Sequence, residues 1–171
     1  MKYQKAGFLT IVALLLLLGS GNVLAKDYTY HTVFVYNFTR YIEWPSAGNE
    51  TVIGIQGGDK DALMAFEKMA QSKSMGDRKY TVKVISKPED AAACHVIFIP
   101  DKESDKVGAY SQMYSSAPKL IVTERNGLVK KGSMINFVIV DGKMRFELNQ
   151  EAMDKTGLKV SSQLLSLAIV V

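Results

Sequence analysis

Short runs of β-branched and aromatic residues alternate with polar stretches along the middle of this chain, and this alternation restricts the fold more than any other feature. Strand-like runs are TVIGIQ (51–56), KYTVKVIS (79–86), CHVIFIP (94–100) and KLIVTE (119–124). After the first run, Asp59 is a potential N-cap, and Leu63, Phe66 and Met69 follow at helical spacing. A second helix is predicted over residues 103–115. Strands that alternate with helices predict an α/β fold with a mostly parallel sheet flanked by helices.

The segment GSMINFVIVDGKMRFELN (132–149) predicts a C-terminal antiparallel hairpin. Apolar residues alternate along both of its arms, and Asp141-Gly142 supplies the turn. Beyond it, Asn149 can cap a short helix over residues 150–156 that Gly157 can end. The apolar segment SSQLLSLAIVV then begins as a further helix. The sequence thus predicts a compact single domain whose hairpin is followed by short helices.

The return arm of this hairpin carries a polar face. Arg145, Glu147 and Asn149 share the side opposite the apolar residues, and Asn136 can lie near them across the ladder. Two interpretations are open: an internal polar network, or a recognition surface. Arginine is favoured where planar, bidentate contacts to carboxylates are made, which is consistent with recognition.

The segment DYTYHTVFVYNFTRYIEWP, residues 27–45, fits two secondary structures equally well. Its aromatic residues recur at the period of a strand, while Phe34, Phe38 and Tyr41 also recur at the spacing of a helix. Periodicity alone leaves strand and helix open. The aromatic residues are core residues or, for Tyr28, Tyr30 or Tyr36, interface anchors.

The N-terminus has the three parts of a secretory signal peptide. Lys2 and Lys5 precede an apolar run from Phe8 to Leu18, and Val23-Leu24-Ala25 offers small residues before a cleavage point. We expect residues 1–25 to be removed by cleavage before Lys26, and the alternative is an uncleaved N-terminal anchor. Residues 26–171 then form the single domain, which should bury roughly two-thirds of its unfolded surface.

The charge balance argues against nucleic acid as a partner. Removal of Lys2 and Lys5, with no acidic residue in the leader, lowers the formal net charge from +4 by two. No dense lysine or arginine stripe is left in the remaining chain. A neutral to slightly basic exported domain is therefore expected.

The inventory of chemically reactive residues is thin. His31 and His95 have no ligand-type residues at metal-binding spacing around them, and Cys94, the only cysteine, lies in an apolar run. Ser161-Ser162 is typical of a helix cap rather than of a nucleophile. No catalytic residue, metal site or cofactor is predicted. The turn at Gly57-Gly58 can place a helix N-terminus near a small ligand at the ends of parallel strands.

Four segments in order and spacing resemble the YfiR-like family of exported bacterial proteins: VYNFTRYIEWP, CHVIFIP, GSMINFVIVDGKMRFELN and TGLKVSSQLLSLA. The resemblance implies a periplasmic regulator with a compact α/β fold and no catalytic activity. It implies that the first segment is an α-helix. It also implies binding to the periplasmic sensory domain of an inner-membrane diguanylate cyclase, which limits cyclic di-GMP and biofilm formation.

Two positions depart from the family pattern. Ser133 stands where a glycine is usual, and Cys94 alone cannot form the disulfides that characterised members carry. We expect a homodimer that binds a diguanylate cyclase or sensor kinase. The expected contacts are Arg145, Glu147, Asn149 and Asn136 on the hairpin and Tyr36, Arg40 and Trp44 in the first segment. The alternatives are a small-molecule-binding sensor domain and, for location, secretion from the cell.

Overall fold

Parallel strands form the centre of the sheet, as the alternation predicted. The computed structural model of the protein describes residues 25–45, 48–74 and 78–171. The parallel strands of this part are β2 (Glu50–Gln56), β3 (Lys79–Ile85), β4 (Val96–Ile99) and β5 (Leu120–Thr123), with β3 at the edge of the sheet. The remaining strands are β1 (Ile42–Glu43), β6 (Ile135–Val140), β7 (Lys143–Leu148), β8 (Lys159–Val160) and β9 (Ile169–Val170). The seven-stranded sheet has the order β3-β2-β4-β5-β6-β7-β9, in which only β6 and β7 are antiparallel neighbours.

Helices cover both faces of the sheet. They are α1 (Thr29–Tyr41), α2 (Lys60–Lys73), α3 (Val107–Met113), α4 (Gln150–Lys155) and α5 (Ser162–Leu167), with short 3-10 turns at Pro88–Ala91, Asp101–Lys106 and Val129–Lys131. None of the helices in the described residues is long and apolar enough to cross a membrane. The prediction of a mostly parallel α/β sheet flanked by helices, with a hairpin and short helices at its end, is confirmed.

The first segment forms helix α1, as the family resemblance implied. Its helical period places Val35 and Phe38 in the core with no exposed area, while Tyr30 points to solvent. The spacing of the aromatic residues at the period of a strand does not reflect a strand here. In a strand, Tyr30 and Phe34 would lie on the same face. Beyond the helix, β1 pairs with β8 in a separate two-stranded ladder, Ile42 opposite Val160.

Side-chain alternation divides the core between the two faces of the sheet. On the first face, Phe98 and Phe137 pack with Phe38 and Phe66 from α1 and α2. On the second face, Ile97 and Ile99 of β4 and Ile121 of β5 pack with α3, whose Tyr110 is fully buried. β4 is apolar throughout and β5 nearly so because both faces of these two strands are covered.

Local signals set several element boundaries. Asp59 caps α2 by accepting a hydrogen bond from the backbone of Ala62 at 3.1 Å, as predicted. The predicted helix over 103–115 instead begins with 3-10 geometry at Asp101 and becomes α-helical only at Val107. Positive φ angles of 50° at Asp141 and 71° at Gly142 define the type I′ turn of the hairpin. The predicted leader lies, except for Ala25, outside the described residues, and the predicted single domain over 26–171 stays a prediction.

Candidate functional site

A buried chain of polar side chains supports the hairpin's second face. Thr123 Oγ1 donates to Asn136 Oδ1 at 2.7 Å, and Asn136 Nδ2 donates to Glu147 Oε2 at 3.0 Å. The Ser133 hydroxyl lies 2.8 Å from Thr123 Oγ1 and donates to the Ile135 carbonyl at 2.6 Å. Ser133, the departure from the family pattern, is therefore part of the network. Asn136 has no exposed area and can influence a partner only by positioning Glu147.

Two of the hairpin residues carry charge at the surface. Arg145 is exposed and Glu147 is half-buried, two positions apart on the same side of β7. Arg145 forms no ion pair with a described residue. Asn149 has a structural role instead. Its side chain accepts a hydrogen bond from the Ala152 backbone amide at 2.9 Å and caps α4. The surface part of the predicted hairpin site thus reduces to Arg145 and Glu147.

The predicted residues of the first segment form a separate group. Arg40 Nη1 donates to the Tyr36 hydroxyl at 3.2 Å, and Lys73 Nζ lies 4.9 Å from the centroid of the same ring. Trp44 is half-buried beyond β1, and its indole nitrogen has no partner among the described residues. Helix α1 packs on the first face of the sheet, whereas Arg145 and Glu147 lie on the second. The predicted residues that reach the surface therefore divide between two faces of the molecule.

A buried carboxylate that the sequence analysis missed lies at the carboxyl end of β5. Glu124 has a side chain only 2% exposed, and three groups contact its Oε1: Lys26 Nζ at 2.8 Å, the Tyr28 hydroxyl at 3.1 Å and the Asp101 amide at 2.8 Å. His31 Nε2 lies 3.0 Å from its Oε2. The signal that could have found it is an acidic residue directly after a fully buried strand, KLIVTE.

The electrostatics of this cluster favour anchoring over catalysis. Burial raises the pKa of Glu124, but hydrogen bonds from His31 and Lys26 and from the Asp101 amide outweigh it and lower the pKa to about 2. Burial beside Glu124 raises the pKa of the Tyr28 hydroxyl. A carboxylate with so low a pKa is a poor general base near neutral pH. The cluster instead ties the N-terminal segment and α1 to the end of β5.

The turn at Gly57-Gly58 borders an open crevice of about 390 Å³. The crevice lies at the carboxyl ends of β2 and β4, where the strand order reverses. Its lining includes the carboxylates of Asp59, Asp61 and Glu103, of which Asp59 already caps α2, and the lysines Lys60 and Lys102. A lining with charges of both signs suits a small polar ligand and selects neither an anion nor a cation.

The remaining polar candidates have structural roles. Cys94 is buried, which raises its pKa and leaves it a protonated core thiol. His95 Nδ1 accepts from the Val52 amide at 3.1 Å. Ser161 caps α5 by accepting from the Leu164 amide at 3.3 Å, as predicted. No group of three or more metal-ligating side chains occurs in the part of the chain that the structure describes.

Comparisons with known proteins give a family match and a structural similarity for this chain. A family model described as YfiR/HmsC-like matches residues 28–169. Among solved structures, a conserved domain protein from Vibrio cholerae O1 biovar El Tor str. N16961 is similar, with a TM-score of 0.53 and 12% sequence identity. That alignment covers 83% of this chain and 59% of the Vibrio chain, so this chain spans about three fifths of the other's length. At this identity the likeness shows the fold alone. No curated protein sequence matches the chain.

Proposed function

The chain belongs to the YfiR/HmsC-like family, and we propose that it is a non-enzymatic periplasmic regulator that binds the extracytoplasmic domain of a membrane signalling protein. The family suggests a periplasmic regulator of cyclic di-GMP signalling. The partner we propose is a diguanylate cyclase or, as the alternative membrane signalling protein, a sensor kinase. The protein acts as a homodimer in this proposal.

The exposed part of the hairpin's second face, at the turn end, is the observation that supports binding. The second-face core, which packs around α3, ends at β5, and it includes no residue of β6 or β7. Val138 lies opposite Arg145 in the ladder, and Val140 beside the turn is 39% exposed. Apolar contact area is suited to a protein interface when it lies next to an arginine without an ion pair among the described residues and a hydrogen-bonded carboxylate.

The network beneath this face adds to its suitability for recognition. Asn136 holds the Glu147 carboxylate in one orientation, and Thr123 in turn holds Asn136. A charge that is oriented before binding loses less conformational entropy when the complex forms. Arg145 and Glu147 therefore offer a donor and an acceptor, of which the acceptor is preorganised.

Regulation by binding requires unequal affinity for the states of the target. The regulator lowers cyclase activity if it binds the inactive conformation of the extracytoplasmic domain more tightly than the active one. A difference of about 1.4 kcal/mol shifts the equilibrium between the two conformations tenfold. A signal that weakens the complex then raises the active fraction.

A pull-down with live-cell crosslinking tests this proposal. The tagged full chain is recovered from the native envelope in mild detergent, next to an Arg145→Ala/Glu147→Ala variant. The matched control is Glu50→Ala/Lys79→Ala, which also removes one acid and one base, from an exposed pair 3.7 Å apart near the opposite edge of the sheet. We expect a membrane signalling protein with the wild type and the control, and at least tenfold less with the hairpin variant. Equal recovery with all three baits contradicts the hairpin site.

The crevice beside Gly57 supports a second candidate function, a small-molecule sensor. It lies where ligands bind in open α/β sheets, outside the carboxyl ends of strands at a reversal of strand order. A thermal-shift screen of amines, amino acids, anions and nucleotides tests it, because a ligand of the native state raises Tm with its concentration. A shift that is lost in Asp61→Asn favours this function, and no shift with any of these compounds argues against it.

A further inference from the structure

An open groove runs between α1 and α2 on the side of the molecule away from the sheet. Its volume is about 420 Å³. Its apolar lining comes from Val33 on α1 and from Ala65 and Met69 on α2. The two helices run roughly in the same direction, because the Lys26 amide just before α1 contacts Asp61 and Tyr36 in α1 contacts Lys73 at the end of α2. The groove therefore offers a straight channel between two parallel ridges.

One large apolar side chain of the groove lining stands exposed at the surface. Val33 is 52% exposed on α1, and Tyr30, which lies one turn before it and outside the lining, is 65% exposed. Exposed apolar side chains beside a groove with an apolar lining are typical of an interaction site.

The end of the groove at the C-termini of the two helices is basic. Arg40 and Lys73 lie there and Lys68 lies more than one turn before Lys73, and none of the three forms an ion pair with a carboxylate in the described residues. The Tyr36 ring has cations near it, with the Arg40 guanidinium 5.8 Å and Lys73 Nζ 4.9 Å from its centroid. The described part of the protein therefore holds positive charge at this end and does not neutralise it.

We propose that this groove binds an amphipathic helix of the partner's extracytoplasmic domain. The apolar side chains of that helix pack on Val33, Ala65 and Met69, and its carboxylates contact Lys68, Lys73 and Arg40. This is the helix-in-groove mode of recognition, with anchors at i, i+3 or i+4, and i+7. The inference rests on the proposed function and adds a second surface, on the opposite face of the sheet from Arg145, together with the chemistry of the segment that it receives.

The charge distribution fixes the orientation of the bound helix. Asp61 lies near the opposite end of the groove, where its carboxylate accepts from the Lys26 amide at 3.0 Å. Carboxylates of the partner are attracted to the basic end, whereas the other end, where Asp61 is paired with the Lys26 nitrogen, offers them no unpaired cation of the groove lining. The acidic turn of the partner helix therefore lies over Lys73 rather than over Asp61.

The shape of the surface favours a peptide over an anionic membrane. A concave channel between two helices fits one cylindrical segment, whereas a flat layer of lipid headgroups would contact only the ridges. The observations therefore favour a protein segment as the occupant.

Photocrosslinking in live cells tests the groove. The photoreactive amino acid p-benzoylphenylalanine replaces Val33 in the full chain, and in separate strains it replaces Arg145 on the hairpin or Val84, which is 48% exposed on β3 and serves as the control. We expect the Val33 probe to crosslink a segment of a membrane signalling protein with apolar residues at helical spacing and an acidic turn. The Val84 probe should not crosslink that segment.

Charge reversal supplies the second readout. Lys68→Glu/Lys73→Glu should weaken binding of a synthetic peptide of the crosslinked segment by at least about tenfold. A peptide in which lysines replace the carboxylates should restore binding to the reversed variant. Lys102→Glu/Lys106→Glu, away from the groove, should change the affinity less than about twofold. Circular dichroism melts confirm that each variant is folded.

The outcomes separate the groove from the function. Three results would overturn the groove proposal. The first is that the Val33 probe crosslinks to lipid alone, and the second is that the crosslinked segment has no acidic residues. The third is binding to vesicles of phosphatidylethanolamine and phosphatidylglycerol that the Lys68/Lys73 reversal abolishes. If the Arg145 probe still captures a signalling protein in those cases, the proposed function stands without the groove. If neither the Val33 nor the Arg145 probe captures such a protein, both proposals fail.

Discussion

His31 Nε2 lies 3.0 Å from Glu124 Oε2, and this contact joins the first helix to the carboxyl end of the fifth strand. Both side chains are almost completely buried, and rings of Tyr28, Phe98 and Phe137 surround the imidazole. A buried carboxylate is tolerated only when donors replace the water that it loses. Lys26, Tyr28 and the Asp101 amide are the donors to Oε1, and the His31 ring contacts Oε2.

Glu124→Gln should destabilise the fold and change its response to acid. Loss of one partner from a buried charge cluster costs about 3 kcal/mol. The pKa of Glu124 is lowered from 4.5 to about 2, so its contribution is fully present above pH 4.5 and is lost as pH falls towards 2. Urea unfolding from pH 7 to pH 2 measures this, and the gap between wild type and variant should shrink as the pH falls.

The control for this experiment is Glu151→Gln, which removes an exposed carboxylate that pairs with Lys155 across one turn of α4. We expect little change in stability from it. A constant gap between wild type and Glu124→Gln from pH 7 to pH 2 would contradict the ion-cluster interpretation.

Asn136→Ala should weaken both stability and partner binding. The substitution leaves Thr123 and Glu147 without the amide that joins them, which costs about 1 to 3 kcal/mol when the groups stay buried. It also frees the Glu147 carboxylate to rotate. Thermal unfolding and the pull-down measure the two effects, and Asn126→Ala in an exposed loop is the matched control.

Glycine to alanine changes should have opposite signs at two positions. Gly142 has a φ of 71° in the hairpin turn, so alanine there should cost about 1 kcal/mol. Gly108 lies in α3, where an added methyl group would meet no neighbouring atom within 4 Å, so alanine there should stabilise the protein by about 0.5 to 1 kcal/mol. Chemical unfolding of both variants measures the two changes in the free energy of unfolding. Changes of the same sign would contradict the left-handed turn at Gly142 or the open helical position at Gly108.

Cys94 should be inert in the native protein. It is 2% exposed, and burial raises the pKa of its thiol, which lowers the thiolate fraction at neutral pH. Ellman's reagent should react with it only after unfolding in guanidinium. Non-reducing electrophoresis should show no disulfide-linked dimer. Rapid labelling of the folded protein would indicate that this strand opens.

The mature protein should begin at Lys26. The Lys26 nitrogen lies 3.0 Å from Asp61 Oδ2, so cleavage before Lys26 would convert an amide contact into an ion pair with the new α-ammonium group. That pairing should raise the α-amino pKa above its usual value of about 8, and its contribution to stability should be lost as pH rises through the raised value. Intact-mass measurement tests the cleavage site, and an NMR titration of wild type against Asp61→Asn tests the pairing.

Local chemistry made much of this fold predictable from the sequence. The caps at Asp59, Asn149 and Ser161 and the turn at Asp141-Gly142 depend on neighbours within a few residues, so their positions can be read from the chain itself. Runs of β-branched and apolar residues also identified the parallel strands, most clearly β4 and β5, which bury both of their faces. Helix α1 was the exception, since its aromatic residues match both periods, and only the resemblance to a family distinguished them.

Tertiary structure alone decided which polar residues meet. Tyr28 and Glu124 are 96 positions apart, and no local pattern predicts that the end of β5 lies beside the N-terminal segment. Packing likewise placed Tyr36 and Arg40 on one face of the sheet and Arg145 and Glu147 on the other. The sequence by itself determined the elements and their ends, because those depend on backbone preferences and nearby side chains. The functional surfaces depend on contacts between distant segments, which form only when the apolar faces of those segments pack together.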